Sequence, residues 1–330
     1  MIAAAERWIM TNGIASVLIA GCMTVTLFAQ AQQPDKVRRV GVLIPPATWE
    51  SDAFRKALRE RGYTEGVNLV LDVRSAAGRL ELLPTLASEL VSAAPEVIVA
   101  ANTPGVAAAI AATRTIPIVM VAVGDPIASG FVSSLARPER NVTGMSNLCG
   151  ELGGKRLSLL KEALPRARRI AVMLNPADPI TALQVQDVES TARSLGIEVR
   201  AFPVRTKVEV DSVFGPMLKW RPDGVFWLCG QQGALLPHMI PLASRHRLPV
   251  MVVRSDEVHA GGLMAYSTDN ADLYRRAAIY VDKLLKGAKV SELPVEQPTK
   301  FELVINLKTA KALGVKIPQS ILVRADTVIE

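Results

Sequence analysis

The sequence predicts an α/β fold of two similar lobes, each a doubly wound parallel sheet, with a hinge and an interlobe cleft between them. Three observations predict it. Short runs rich in β-branched and apolar residues alternate with helical patterns along most of the chain. This alternation occurs in two consecutive series. The 330 residues also suffice for two domains, since roughly 150 residues per domain is typical.

Each series contains five candidate strands. In the first series they are 39–44, 68–73, 96–101, 116–123 and 141–146. In the second series they are 169–174, 197–204, 223–229, 248–253 and 261–267. Stretches with apolar residues at helical spacing lie between them. Strands and helices that alternate in this way are typical of parallel sheets covered by helices on both faces.

The two series resemble each other in sequence. Residues 95–105 (PEVIVAANTPG) align with 222–233 (PDGVFWLCGQQG), and 115–126 (TIPIVMVAVGDP) align with 247–257 (RLPVMVVRSDE). This likeness predicts one α/β module used twice. A chance likeness between any two doubly wound modules is the alternative.

A helix and a tail follow the second series. The helix carries one apolar stripe, made of Leu273, Ala277, Tyr280, Val281 and Leu284. The sequence of the tail predicts a loop, then a strand at 301–307, then a short helix and an extended end. We expect an N-terminal lobe of 37–146 plus about 268–290, a C-terminal lobe of 147–267, and a crossover and tail, 291–330, that pack on the lobes.

The first 31 residues predict a signal peptide. A weakly basic start precedes an apolar run at 14–28, and AQA at 29–31 is a small-x-small cleavage signature. The run is short for a membrane-spanning helix. The alternative is lipidation at Cys22, because the preceding residues fit a lipoprotein pattern. Either processing gives an exported protein, which we expect in the periplasm.

Composition and motifs argue against several classes of function. The net charge of +7 is modest for this length, and no Lys/Arg block is interleaved with aromatic residues, so we expect no nucleic-acid partner. No Gly-x-Gly-x-x-Gly loop follows a strand, and no Cys-x-x-Cys motif or Cys/His cluster indicates a metal. We expect no cofactor, no metal and no enzymatic activity.

Two cysteines, Cys149 and Cys229, lie beyond the signal peptide. In an oxidising compartment they could form a disulfide. Because they are far apart in the chain, we expect two separate small apolar side chains instead. A third interpretation takes them as the paired thiols of a racemase-like enzyme on twin α/β lobes, and this is the enzymatic alternative.

The loops that follow the strands predict a binding site without reactive groups. In parallel α/β sheets, ligands bind at the carboxyl ends of the strands. Thr103 stands where a helix N-cap belongs, so the N–H groups of that helix could receive a carboxylate; plain capping is the alternative. Asp125 and Asp256 occupy matching positions in the two series. One could hold an ammonium group, and we expect loop or helix capping for at least one.

Other residues of these loops could contact a ligand through amide groups or aromatic rings. Trp49 and Tyr266 could stack on a ligand, with packing across the hinge as the alternative. Trp227 falls inside a strand, and we expect it in the core. The candidate ligand-binding residues are Trp49, Asn102, Thr103, Asp125, Asn175, Gln231, Asp256 and Tyr266.

The chain also resembles a known family over residues 37–330. The stretches that carry the likeness include VIVAANTPGVAAA (97–109), GKRLSLLKEALP (154–165), VEQPTKFELVINLKTAKALG (295–314) and IPQSILVRADTVIE (317–330). They are similar to the ABC-transporter substrate-binding proteins, in the group that includes tryptophan/tyrosine-binding lipoproteins. The last two stretches are the most specific.

The resemblance implies a type I periplasmic-binding-protein fold, in which two α/β lobes joined by three crossovers close on a small ligand and deliver it to a permease. We expect the ligand to be a small polar solute, an amino acid or related carboxylate. The expected partners are the ABC permease and ATPase subunits at the inner membrane, and the protein itself is expected to be a monomer. An exported sensory ligand receptor is the alternative function.

Overall fold

The structure is a computed structural model of the chain, and it describes residues 36–46, 49, 51–177, 181–230 and 234–330. The predicted signal peptide, its lipidation alternative at Cys22 and the candidate binding residue Gln231 lie outside the described residues. Arg38–Glu330 is one compact unit. Within the described ranges, no helix is both long enough and apolar enough to cross a membrane.

The elements alternate as the sequence predicts. The strands are β1 (Arg38–Ile44), β2 (Leu69–Ser75), β3 (Val97–Ala101), β4 (Ile118–Val123), β5 (Val142–Ser146), β6 (Arg169–Leu174), β7 (Glu198–Pro203), β8 (Gly224–Trp227), β9 (Val250–Val252), β10 (Met264–Thr268), β11 (Phe301–Asn306) and β12 (Thr327–Ile329). The α-helices are α1 (Ser51–Arg59), α2 (Leu83–Ser92), α3 (Asn102–Ala112), α4 (Gly153–Ala163), α5 (Thr181–Leu195), α6 (Lys207–Trp220), α7 (Leu236–Arg245), α8 (Ser255–His259), α9 (Asn270–Leu285), α10 (Leu307–Leu313) and α11 (Gln319–Leu322).

Both series of strands form sheets with the same topology. The first sheet has the order β2-β1-β3-β4-β5, and all of its strands are parallel. In the second sheet, β7-β6-β8-β9-β10 repeats this order. The aligned stretches of sequence form the third and fourth strands of each module, so the prediction of one module used twice is confirmed. Each sheet has the strand order of a doubly wound fold, in which the ligand-binding crevice lies outside the carboxyl ends of the strands.

The strands of the first sheet are apolar on both faces because helices cover both. One face packs Val40, Val42 and Ile44 of β1 against α1 and α9. The other face packs Leu43 of β1, with the alternate residues of β3 and β4, against α2 and α3. This arrangement explains why the strands are continuous apolar runs rather than alternating ones. The predicted stripe of α9 is buried in the first of these cores.

The second sheet is larger than the sequence predicts. The predicted strand at 301–307 forms β11, which pairs antiparallel with β10, and the predicted extended tail forms β12, parallel to β11. The sheet is therefore mixed, with two strands that run opposite to the other five. Leu303 and Ile305 of β11 join the core that α4 and α5 form on one face of this sheet, while Val304 of β11 and Ile329 of β12 pack in the core of the other face.

Within the described part of the chain, three passages connect the two sheets. They run from β5 to α4, from β10 to α9, and from the segment after α9 to β11. Hydrogen bonds tie the passages together. Thr268 Oγ1 donates to the Asn147 carbonyl at 2.7 Å. The Glu296 N–H donates to the Gly144 carbonyl at 2.8 Å, and its carbonyl accepts from the Ser146 N–H at 3.0 Å.

Gly144 sits in β5 where the strand meets an irregularity in β4. The pairing of β4 with β5 shifts register between Met120 and Val123. Gly144 has φ = 133°, and a Cβ there would lie 2.1 Å from the Met120 carbonyl oxygen. Any larger residue would have to separate the two strands beside the passages.

Replacing Gly144 with Ala is expected to lower the free energy of unfolding by roughly 3 kcal/mol or more, because backbone strain and a steric clash add together. Urea unfolding measures the change. Gly215, exposed within α6 and with nothing within 4 Å of its Cβ position, provides the control. Gly215→Ala is expected to raise stability by about 0.5–1 kcal/mol. A Gly144→Ala protein as stable as wild type would contradict this description of the strand pair.

Candidate functional site

A cavity of about 470 Å³ lies where the carboxyl ends of the two sheets meet. Residues that follow the strands of the first sheet form one side: Pro45, Pro46, Ala77, Gly78, Leu80, Asn102, Thr103, Pro104, Ala122, Gly124, Ser129 and Asn147. The other side comes from the second sheet and its loops: Cys149, Arg156, Trp227, Leu228, Cys229, Gly230, Ala234, Val253, Arg254, Glu257, Ser267, Thr268 and Asn270. The cavity has the size and mixed lining of a small-molecule site.

The helix start predicted at Thr103 is in the cavity wall, but Thr103 is not its cap. Helix α3 begins at Asn102, and its N-cap is Ala101, which has an extended backbone and contributes no side-chain bond. Asn102 itself has φ = 55°. Thr103 and Pro104 therefore lie in the first turn, two positions later in the helix than predicted. Both Asn102 and Thr103 border the cavity.

Cys149 and Cys229 form a disulfide, so the expectation of two separate side chains was wrong. Cys149 lies in the first passage between the sheets and Cys229 follows β8, so both cysteines lie at the carboxyl ends of parallel strands. Gln184 of α5 holds this loop, since its Nε2 donates to the Cys229 carbonyl and its Oε1 accepts from the Cys229 N–H. Bridged sulfurs cannot act as the thiols that a racemase-like enzyme requires.

Arg156 brings a buried positive charge to the cavity wall. It lies on α4, and the residue is 2% exposed. Its Nε donates to the Tyr266 carbonyl at 2.7 Å and its Nη1 donates to the Cys149 carbonyl at 3.2 Å, while Nη2 is 3.6 Å from Cys149 Sγ. Burial lowers the pKa of Arg156 to about 10, and the negative charge of Glu257 opposes that effect. The guanidinium is therefore charged at neutral pH.

Glu257 and Arg254 are the other charged residues in the wall. Glu257 Oε2 accepts from the N–H groups of Val253 and Arg254, both at 3.0 Å, at the start of α8. Burial raises the pKa of Glu257, and the nearby Arg254 works against that rise. Arg254 pairs with Asp256. Burial alone would raise the pKa of Asp256, but the hydrogen bond and charge of Arg254 outweigh it and the pKa is lowered.

The side chains of five other predicted binding residues have partners within the protein. Asp125 caps its own loop by accepting from the N–H groups of Ile127 and Ala128, Asn175 accepts from the N–H of Ala177, and Asp256 pairs with Arg254. Trp49 packs on Phe54 and Tyr274, with ring centroids 5.7 and 5.3 Å away.

Tyr266 stacks on Phe301 at 5.8 Å, while its carbonyl holds Arg156. A ligand-binding role for these five residues stays a prediction. Trp227 is buried in the core of the second sheet, as expected, and also borders the cavity.

The sequence analysis did not include Arg156 and Glu257 among the candidate binding residues, although a sequence feature points to each of them. Arg156 stands four residues before Leu160 and seven before Ala163, on the apolar stripe of its helix, while its neighbour Lys155 is exposed. A charged residue on an apolar helix stripe indicates a buried charge that needs polar partners. Glu257 follows a buried strand and stands three residues after the helix N-cap Arg254, where a carboxylate closes the first turn.

The geometry defines a class of protein: two α/β lobes with matching topology that enclose a small cavity and are joined by three passages at one edge. The described residues contain no group of His, Cys, Asp and Glu placed to hold a metal ion. A periplasmic binding protein/LacI transcriptional regulator from Alkaliphilus metalliredigens shares this fold at 13% identity, with a TM-score of 0.53 over 81% of this chain and 97% of that one. The chain therefore has the periplasmic-binding-protein fold.

The chain belongs to the ABC transporter substrate binding protein family, whose sequence pattern matches residues 44–329. It is thus a solute-binding protein of an ABC transporter and not an enzyme. A tyrosine-binding protein of Clostridioides difficile (strain R20291) is 28% identical over 330 aligned residues, which cover 93% of this chain and 94% of that protein. Proteins of this family act outside the cytoplasm.

Two solved structures differ in how well they match. An ABC domain in complex with L-Trp from Streptococcus pneumonia is 26% identical, with a TM-score of 0.79 over 88% of this chain and 99% of that one. The ligand-free, open structure of a substrate-binding protein with adhesive properties from Clostridium difficile is 27% identical, with a TM-score of 0.68 over 89% and 99%. Although the two sequence identities differ by only one percentage point, this structure is more similar to the L-Trp complex than to the open form.

Replacing both Cys149 and Cys229 with Ser is expected to lower the free energy of unfolding by roughly 2–4 kcal/mol, because the bridge constrains the unfolded chain. Solute affinity is expected to stay within about threefold of wild type, a change below 1 kcal/mol. Arg156 depends on the Cys149 carbonyl, which the substitution keeps.

Urea unfolding and calorimetric titration measure the two effects. Wild-type protein that has been reduced and alkylated controls for the substitution itself. A double variant that remains folded but no longer binds the solute would contradict a structural role for the bridge.

Proposed function

We propose that this protein is the periplasmic receptor of an ABC importer, which captures a small polar solute between its lobes and delivers it to the permease and ATPase subunits. The solute is an amino acid or a related carboxylate. The protein acts as a monomer. The cavity between the carboxyl ends of the two sheets carries the proposal, because both lobes contribute to its wall and a solute in it would contact both at once.

Closure of the lobes is the proposed mechanism. The three passages are hydrogen-bonded to one another at one edge of the cavity, which is the arrangement of a hinge. Asn147 links two of them, since it follows β5 and its carbonyl accepts from Thr268 beside β10. A solute that contacts both lobes stabilises the closed form, and the membrane partner would recognise that form. The greater similarity to the L-Trp complex than to the open relative supports a closed arrangement here.

The chemistry of the wall supports the solute class. Most of the lining is apolar, from prolines, leucines, Trp227 and the disulfide, and its charged side chains are those of Arg156, Arg254 and Glu257. This suits a molecule with an apolar part and a charged or strongly polar end. The relatives named for tyrosine and solved with L-Trp point to the same class. The predicted export signal supports a periplasmic location.

A thermal-shift screen of the purified exported protein tests the proposal. The protein is first freed of any co-purified solute by unfolding and oxidative refolding. The panel contains L-amino acids, including tyrosine and tryptophan, small carboxylates, sugars and nucleosides. A solute that binds the native state alone stabilises it by about 4 kcal/mol at a thousandfold excess over Kd, so an amino acid or carboxylate is expected to raise the unfolding temperature by several degrees.

The sugars and nucleosides are the controls, and no shift is expected from them. A shift with these compounds alone would replace the proposed solute class. No shift with any compound, from protein shown to be free of solute, would contradict it as well. Reconstitution with the permease and ATPase subunits then tests delivery, since a closed receptor is expected to stimulate ATP hydrolysis.

A further inference from the structure

Arg156 is a buried charge with unused donors beside the cavity. Its three contacts, with two carbonyls and one sulfur, occupy three of the five N–H groups of a guanidinium. Among the described residues, no carboxylate forms an ion pair with it. On a surface arginine, the remaining two N–H groups would bind water, but Arg156 has little access to solvent.

A buried charge of this kind is unfavourable unless a partner compensates it. Removing an ion from water costs several kcal/mol, and carbonyl dipoles recover part of that cost. A guanidinium presents paired N–H groups that match the two oxygens of a carboxylate, and such charge-assisted bonds are about twice as strong as neutral ones. An anionic group bound in the cavity would therefore supply the missing counter-charge.

Glu257 provides the opposite charge in the same wall. Its Oε2 is used by two backbone N–H groups, whereas Oε1 has a contact of 3.9 Å with Arg254 Nε and no hydrogen bond among the described residues. The negative charge of Glu257 raises the pKa of Arg156, but the two side chains form no direct ion pair within the described chain. Both side chains border the cavity, so a solute with two opposite charges could bind both.

On the basis of the proposed function, we propose that the solute is an α-amino acid bound as a zwitterion, with its carboxylate on the Arg156 guanidinium and its ammonium group on the Glu257 carboxylate. The apolar remainder of the cavity receives the side chain. Arg254 does not serve as the anchor, because Asp256 already neutralises it. This assigns the two ligand-binding charges to residues other than Asp125 and Asp256.

Titration calorimetry with amino acids and their analogues tests the assignment on the full exported protein. The probes are L-tryptophan, L-tyrosine and L-leucine. Each is compared with its amide, which lacks the carboxylate, and with its deamino acid, which lacks the ammonium group. For the probe that wild type binds best, both analogues are expected to bind at least about 30-fold more weakly, since each leaves one buried charge without a partner.

The Arg156→Gln variant distinguishes a role of Arg156 in binding the carboxylate from a purely structural role. Its affinity for the amino acid is expected to fall at least about 30-fold, while its affinity for the amide changes by less than about threefold. Arg156→Lys keeps the charge and is expected to recover part of the loss. Lys155→Gln, an exposed neighbour on the same helix, is the control for the lost positive charge and is expected to bind like wild type.

Glu257→Gln tests the other end of the solute. Glutamine keeps an oxygen for the two N–H groups at the start of α8 but carries no charge. This variant is expected to lose at least about 30-fold in affinity for the amino acid and to bind the deamino acid no more weakly than wild type does. Thermal unfolding without solute shows whether each variant is folded.

Different results would overturn different proposals. If Arg156 only supports the carbonyls of Cys149 and Tyr266, Arg156→Gln would lower the affinity for the amino acid and for its amide by the same factor. That result would contradict the assignment of Arg156 but not the proposed function. Equal binding of amide and acid by wild type would have the same meaning. If wild type binds none of the amino acids but binds a sugar or nucleoside, the proposed solute class and this assignment both fail.

Discussion

The hydrogen bonds among the three passages determine how the two sheets face each other. Glu296 lies beside β5 and pairs with Gly144 and Ser146. Thr268 donates to Asn147, and the Asp269 N–H donates to the Lys300 carbonyl at 3.2 Å. All these bonds lie at the carboxyl ends of β5 and β10. The loops that border the cavity begin at those same ends, so the proposed hinge and the cavity share one set of backbone contacts.

Helix α9 shows how strongly the passages connect the lobes. It follows β10 of the second sheet, yet it packs on the first sheet against α1. The single hydroxyl proton of Tyr280 on α9 is shared between the Pro294 carbonyl, 2.6 Å away, and Glu296 Oε1, 2.9 Å away, which holds the third passage close to β5. Burial and the bond to Glu296 raise the pKa of Tyr280, so it remains a donor at physiological pH. The third passage is therefore held by a buried side chain as well as by the backbone.

The fold was largely predictable because its signals are local. Buried parallel strands are continuous apolar runs, and both modules repeat them in one order. The mixed edge of the second sheet was not predictable, since whether Phe301–Asn306 pairs parallel or antiparallel depends on where the third passage leads. In the site, Asn102 and Thr103 were found from their place at the end of β3. The place of Arg156 on the apolar stripe of α4 indicates burial, but its position in the cavity wall was missed because it depends on the packing of α4 against β10 and α5, which lies outside any local pattern.

The position of Arg156 suggests how the cavity and the hinge are coupled. Its two carbonyl partners lie at different passages, because Cys149 follows Asn147 in the first and Tyr266 lies in β10, just before the second. One rigid guanidinium thus holds both passages where they enter the second lobe. A carboxylate on its remaining N–H groups would strengthen its charge complementarity and fix its orientation, and through it the two carbonyls. Binding energy gained in the cavity would in that way stabilise one arrangement of the passages, which is the physical requirement for closure driven by a solute.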